Sequence, residues 1–217
     1  MKSNFLLLFL SISSILCAQK EVIEKFQATS NRIEIYTTGL DDFVIENSNS
    51  DFVEVYLVAE NSNKQHIVHK EKFNTLQIKF NIPEVLEKEI IFRKFITKRL
   101  QRARAIIKIP NHKKVVVFGE DIYIESKSLA SELDIFIENG VLKLNTVQAN
   151  TNIKLYSGTV SANLKNTNIN LVSDTGNLTI NDKNYFEKYK KRGAKNLINF
   201  NVNSKKANIV LTTKITQ

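Results

Sequence analysis

Asn139-Gly140-Val141-Leu142-Lys143-Leu144-Asn145, Ser157-Gly158-Thr159-Val160-Ser161-Ala162-Asn163 and Thr175-Gly176-Asn177-Leu178-Thr179-Ile180-Asn181 follow one another at a step of eighteen residues. A long period with like residues at several phases at once is the mark of stacked repeats. Leu142, Val160 and Leu178 share one phase, Leu144, Ala162 and Ile180 a second, and Ile135, Ile153 and Leu171 a third. Ile137 and Leu155 make a fourth. Asn145, Asn163 and Asn181 keep the same step, as do Asn150 with Asn168 and Asn152 with Asn170. Within each repeat the apolar residues alternate in twos, which is the signature of a strand with one buried face.

Two backbones could carry such a pattern: successive antiparallel hairpins, or a parallel coil whose rungs stack at roughly 4.8 Å. Hairpins reverse the strand and have no reason to repeat phase by phase, so the spacing predicts the parallel coil. The expected fold is all-β, a β-solenoid of parallel β-helix type with about 18 residues per coil. Ile135, Ile153 and Leu171 should then lie directly over one another. Asparagines in register can bond along their column. The three glycines, each next to Asn, Ser or Thr, are expected at the turns where a strand stops.

Outward from the repeats, the amino end reads as an export signal. Lys2 precedes the apolar run Phe5 to Leu10, and small residues follow up to Cys17, Ala18 and Gln19. That run is too short for a comfortable membrane span, and cleavage after Ala18 is expected. Lipid attachment at Cys17 is disfavoured because Leu16, not a small residue, precedes it. A chain starting at Gln19 would hold no cysteine, hence no disulfide, thiolate metal site or thiol nucleophile.

Residues 19–83 read as a β region, with strands near Arg32 to Tyr36, Phe43 to Glu46, Phe52 to Ala59 and Leu76 to Ile82. This half lacks the eighteen-residue step and is read as a cap or as entry coils. Residues 84–104 are a basic insertion with some helical character, carrying Arg93, Lys94, Lys98, Arg99, Arg102 and Arg104. These six are the candidate contacts for an anionic surface, against the alternative of a solvated guard on an exposed edge. Residues 105–182 hold the repeats. Residues 183–217 are expected to close the stack, with a hairpin formed by Leu197 to Val202 and Ala207 to Leu211 across Asn203-Ser204-Lys205.

From Ile106 to Ile124 the residues follow a pattern: Ile107-Lys108-Ile109-Pro110, the basic turn Asn111 to Lys114, the strand Val115 to Phe118, Gly119, and Ile122-Tyr123-Ile124. Ser-Gly and Thr-Gly pairs then recur at Gly158 and Gly176. This resembles the putative adhesin domains of unknown function, including the head-domain auto-transporter adhesin type, of bacterial envelope proteins. The resemblance covers about residues 105–182. It implies a β-solenoid, export and an adhesin role, and it brings no catalytic residues.

Chemistry is sparsely provided. His66 and His69 point to opposite faces if they share a strand, and so would not share a metal. His112 sits in a basic turn. Nucleophile elbow, phosphate loop and His-Glu-x-x-His are absent from the sequence. Glu125, Glu132, Asp134 and Glu138 are the acids a β-helix lyase or hydrolase would need, but Asp134 meets asparagine at the next two repeats. The net charge is +9. Export argues against a genomic role, so the expected partner is an anionic polysaccharide or another envelope component, with no sequence-specific nucleic acid and no transmembrane span in the mature chain. Part of the charge also follows from a composition with 25 asparagines and much lysine and isoleucine. The sequence-based expectation is a non-enzymatic, periplasmic or surface module needing no cofactor or metal. A carbohydrate-active lyase or hydrolase on the same scaffold is the alternative.

Overall fold

The computed structural model describes residues 20–59, 62–82, 103–192 and 198–214. Their strands are β1 (Lys20–Gln27), β2 (Arg32–Tyr36), β3 (Asp42–Asn47), β4 (Phe52–Ala59), β5 (Ile67–Lys72), β6 (Thr75–Phe80), β7 (Ala103–Ile109), β8 (Lys114–Lys127), β9 (Glu132–Thr146), β10 (Thr151–Lys165), β11 (Thr167–Ile180), β12 (Lys183–Lys191) and β13 (Ile198–Lys214). Among the described residues one 3-10 turn, Lys64–His66, is the other element. All thirteen strands belong to one mixed sheet. The expected signal, residues 1–18, and nearly all of the basic segment lie outside the described residues.

The long strands are bent, and each makes one level of a stack. In β9 the buried residues are Leu133, Ile135 and Ile137, then Gly140, Leu142 and Leu144. Alternation slips by one at the exposed Glu138 and Asn139, so both arms of the strand face the same core. β9 lies parallel on β8 and β10 parallel on β9, with Ile135 opposite Val117 and Ile153. Shorter strands build the levels below in pairs: β2 and β3 lie on the two arms of β8, and β6 and β7 lie on β2 and β3. Antiparallel strands finish both ends, β5 on β6 and β4 with β1 on β7 at one, β12 on β11 at the other. The interior is one apolar cluster running from Val22 to Leu211. Burying each of its large side chains contributes about 1.5–3 kcal/mol.

Three expectations are corrected. First, the sheet is mixed and open, not wholly parallel. Second, residues 198–214 do not form a capping hairpin. They make one continuous strand, β13, which lies parallel between β10 and β11. The column therefore runs Ile135, Ile153, Val202, Leu171, and Leu171 does not rest directly on Ile153. β13 repeats the burial alternation of its neighbours, with Phe200, Val202, Ala207, Ile209 and Leu211 buried, so it satisfies two strand edges at once. Only β12 of the expected cap occupies an end.

Third, the glycines stand inside the long strands, at the bend, not at turns between strands. A Cβ on Gly158 would lie 1.9 Å from the Gly140 carbonyl oxygen, and the backbone there has φ +130°. At Gly176 the obstacle is the Ala207 carbonyl, 1.8 Å away. Close approach between levels selects glycine at these places. The turns use other residues in the left-handed region: Ser128 (φ 53°), Asn166 (φ 48°), Asn181 (φ 47°) and Asp182 (φ 62°). Asparagine and aspartate tolerate that conformation because their side chains bond the local backbone.

Candidate functional site

Two of the expected asparagine columns form, interleaved with residues of β13, whereas Asn163 lies opposite Thr146 and not Asn145 because the register slips after Ala162. Asn152 donates to Asp134 Oδ1 at 2.7 Å, and Asn201 donates to Asn152 Oδ1 at 2.8 Å. A parallel column has Asn150 donating to Glu132 Oε1 at 3.2 Å, the Asn199 backbone amide donating to Asn150 Oδ1 at 3.0 Å, and Asn168 donating to Asn199 Oδ1 at 3.1 Å. Asn139 donates to Asp121 at 3.2 Å and Ser157 to Asn139 at 2.9 Å. The outer wall thus presents the same polar groups level after level.

The acids on this wall are engaged one by one. Glu125 pairs with Lys143 at 3.3 Å and Asp134 with Lys114 at 3.4 Å, while Glu132 receives Asn150. Of these four acids, Glu138 has no such partner among the described residues and lies beside the groove described below. Asp134 lies between Val116 and Asn152 across the strands, so no second acid faces it on the neighbouring levels. Glycoside hydrolysis needs two carboxylates set across one bond, and the strands beside Asp134 set no carboxylate opposite it.

Of the six candidate basic residues, Arg93, Lys94, Lys98, Arg99 and Arg102 lie outside the described residues. Arg104 stands on β7 with Nε 3.2 Å from Asp42 Oδ2. That partner reduces what Arg104 can offer an outside anion. Asp42 itself is buried, and its Oδ1 has no hydrogen-bond partner. Burial pushes its carboxyl up, Arg104 pulls it down, and Glu125 adds to the rise. The folded chain therefore favours the protonated acid more than the unfolded chain does. This contribution to stability is complete below the unfolded value and is lost as pH rises through the folded one. Urea midpoints of the wild type and Asp42→Asn, measured from about pH 3 to pH 7, should accordingly shift in favour of the variant as pH rises. A gap that is constant with pH would contradict this account.

The histidines are apart in role. His69 stacks on Phe26, ring centroids 4.1 Å apart, with Nδ1 3.5 Å from Glu24. His66 ends the 3-10 turn, and its Nδ1 is buried without a partner. His112 is exposed at φ 62°. Among the described residues no three His, Cys, Asp or Glu side chains gather as a metal site would require. No helix there is long and apolar enough to cross a membrane.

One feature of the wall escaped the sequence reading. Tyr36, Phe118 and Phe136 stack in register, 5.1 and 5.6 Å between centroids, with Lys79 over the Tyr36 ring at 4.7 Å and Lys154 over the Phe136 ring at 5.8 Å. Phe118, Phe136 and Lys154 keep the eighteen-residue step, and that signal could have found the column. Because the rings lie face to face and lysines cover the end faces, only edges remain for a ligand. The ladder holds levels together and is no platform for a sugar ring.

Beside Phe136 an open groove of about 550 Å³ runs over the bends of β9, β10 and β13. Lys154, Tyr156, Asn203, Lys205, Glu138 and Asp174 line it. Tyr156 is 56% exposed, with the Lys206 ammonium 5.5 Å from its ring centroid. Lys205 bonds Asp174 at 2.7 Å and holds that carboxyl below the usual carboxylate range. The groove offers donors, acceptors and one phenol ring, which suits hydrogen bonding to a polar ligand.

No family model and no curated protein matches the chain. In three dimensions it is similar to a "putative cell adhesion protein" of Clostridium sporogenes, with TM-score 0.57, 13% identity, and coverage of 90% of this chain and 99% of the other. The likeness is one of fold. A "putative adhesin" of Bacteroides fragilis aligns over 91% of this chain and 98% of its own at 12% identity and TM-score 0.38.

Proposed function

We propose that this chain is an exported, non-catalytic module of the cell envelope that binds a polysaccharide or another envelope polymer along its outer wall. In this reading the stacked levels are the coils of a β-solenoid, residues 1–18 direct export, and residues 84–104 are a basic insertion joining the two strands of one level. The observation that carries the reading is the repetition of the wall: asparagine and acid columns recur from β9 to β11, and the Lys154, Tyr156 and Lys205 groove opens beside them. A surface whose polar groups recur every rung, at roughly 4.8 Å, suits an extended ligand with recurring polar groups of its own. The short apolar run from Phe5 to Leu10 behind Lys2 supports export. The chain's likeness in fold to the cell adhesion protein of Clostridium sporogenes agrees with a surface role.

Retention on immobilised anionic glycans tests the proposal. The protein is expected to be held at low salt and released as ionic strength rises, because exposed charges are screened within about 10 Å at 0.1 M salt. The double variant Lys154→Gln and Lys205→Gln should elute earlier. Wild-type protein that passes unretained, or release of reducing ends from the same glycans, would sink the reading, the latter in favour of an enzyme.

A further inference from the structure

Strand β12 closes one end of the stack, and it departs from what a closing strand needs. Lys183, Lys188, Lys190, Lys191 and Arg192 crowd it, with Glu187 as the one acid between positions 183 and 192. None of the five cations forms an ion pair with a described residue. β12 pairs only with β11 among the described strands, so its other edge is unpaired. Lysines and a bulge are the ordinary means of keeping such an edge from recruiting another chain. The bulge is present: pairing jumps between Val172 and Asn177, where Glu187 has φ 56°.

Phe186 does not fit that protective role. Tyr185 and Tyr189 turn inward and pack on the core, 4.6 Å apart, whereas Phe186 stands 85% exposed beside the bulge. An edge built only for solubility gains nothing from an apolar ring in water. Cations around a protruding aromatic ring match one kind of partner, a bilayer surface, which attracts the charges through its phosphates and takes the ring at the headgroup level. A soluble polyanion would use the charges and leave the ring in water. We infer that β12 is a membrane-contact edge, in which Lys188 and Lys190, on the same face as Phe186, meet anionic lipid headgroups together with the neighbouring Arg192, and Phe186 enters the interface. This rests on the export reading above and is independent of glycan binding in the groove.

The chain contains no tryptophan, so Phe186→Trp places a single indole at the contact. Purified Phe186→Trp protein is titrated with vesicles of phosphatidylcholine alone, vesicles of phosphatidylcholine with phosphatidylglycerol, and soluble dextran sulfate. The expected result is a blue shift of emission with the phosphatidylglycerol vesicles only. The quadruple variant Lys188→Gln, Lys190→Gln, Lys191→Gln and Arg192→Gln should bind those vesicles at least about tenfold more weakly. Phe186→Ser, followed by co-sedimentation, should lose binding while keeping its strand circular dichroism. Absence of vesicle binding would overturn the inference. So would binding unchanged in the quadruple variant, or capture by dextran sulfate with no shift on vesicles. Glycan retention measured on the same variants should be unchanged, so a failure here and a failure of the groove remain separate results.

Discussion

Gly158→Val is expected to prevent the chain from reaching its folded state at room temperature, or to cost on the order of 4 kcal/mol or more where some folded protein survives. Two penalties act together. The first Cβ atom would sit 1.9 Å from the Gly140 carbonyl oxygen, a contact that neither backbone can relieve without separating two levels that pair along their whole length. The backbone also holds φ +130°, a conformation that a β-branched residue does not adopt. Gly39→Ala is the informative control. It also has positive φ, +86°, but the new methyl would find Ile82 at an ordinary 3.5 Å. Strain alone should cost about 1–3 kcal/mol there. Urea unfolding of the two variants separates strain from collision, and equal losses would show that the close approach of levels is not what demands glycine at the bend.

The second large effect is expected at Phe200. Its ring is fully buried on β13, opposite Thr151 of β10 and Ile169 of β11. Phe200→Ala should therefore cost about 3–5 kcal/mol, the loss associated with emptying a packed aromatic site. Phe186→Ala, at an exposed ring, should stay within about 0.5 kcal/mol. If Phe200 belonged to a terminal hairpin lying across the end of the stack, its truncation would be far milder. Denaturant midpoints of the two variants decide between these placements, and a small loss at Phe200 would refute the intercalated strand.

Several particulars of the fold were legible from residue spacing. Ile153 does lie on Ile135 and Val160 on Leu142, because the eighteen-residue step equals the offset at which β10 pairs with β9. The columns through Asn150 and Asn152 were legible for the same reason, while the one through Asn145 fails at the register slip after Ala162. The levels made by β2 with β3 and by β6 with β7 were not. β2 and β3 pair in register with β8, and β6 and β7 with β2 and β3, but the chain between them does not keep a constant length, so their phases cannot be compared by counting. β13 was hidden more deeply. It stands 49 residues from its partners in one flanking strand and 31 from those in the other, and neither number recurs. Its own pattern, Phe200, Val202, Ala207, Ile209 and Leu211, announces a strand with one buried face and is silent about its neighbours.

The candidate site divides in the same way. Phe118, Phe136 and Lys154 share the repeat step and could have been read as a column, whereas Tyr36 joins them only through the stacking of β2 on β8. Arg104 is one of the six candidate contacts for an anionic surface, and the fold gives it Asp42, sixty-two positions earlier in the chain. Likewise the Lys154, Tyr156 and Lys205 groove exists because β13 carries Lys205 next to β10.

By itself the amino-acid order determined the strands near 32–36, 43–46, 52–59 and 76–82 and those of the repeats, with the apolar face of each and the step of eighteen residues, since alternation and side-chain type act over a few neighbouring positions. Only the tertiary structure decided which strand lies beside which. Backbone edges accept any partner with matching alternation and polarity. The choice among them is made when every edge and every buried ring in the stack must be satisfied at once.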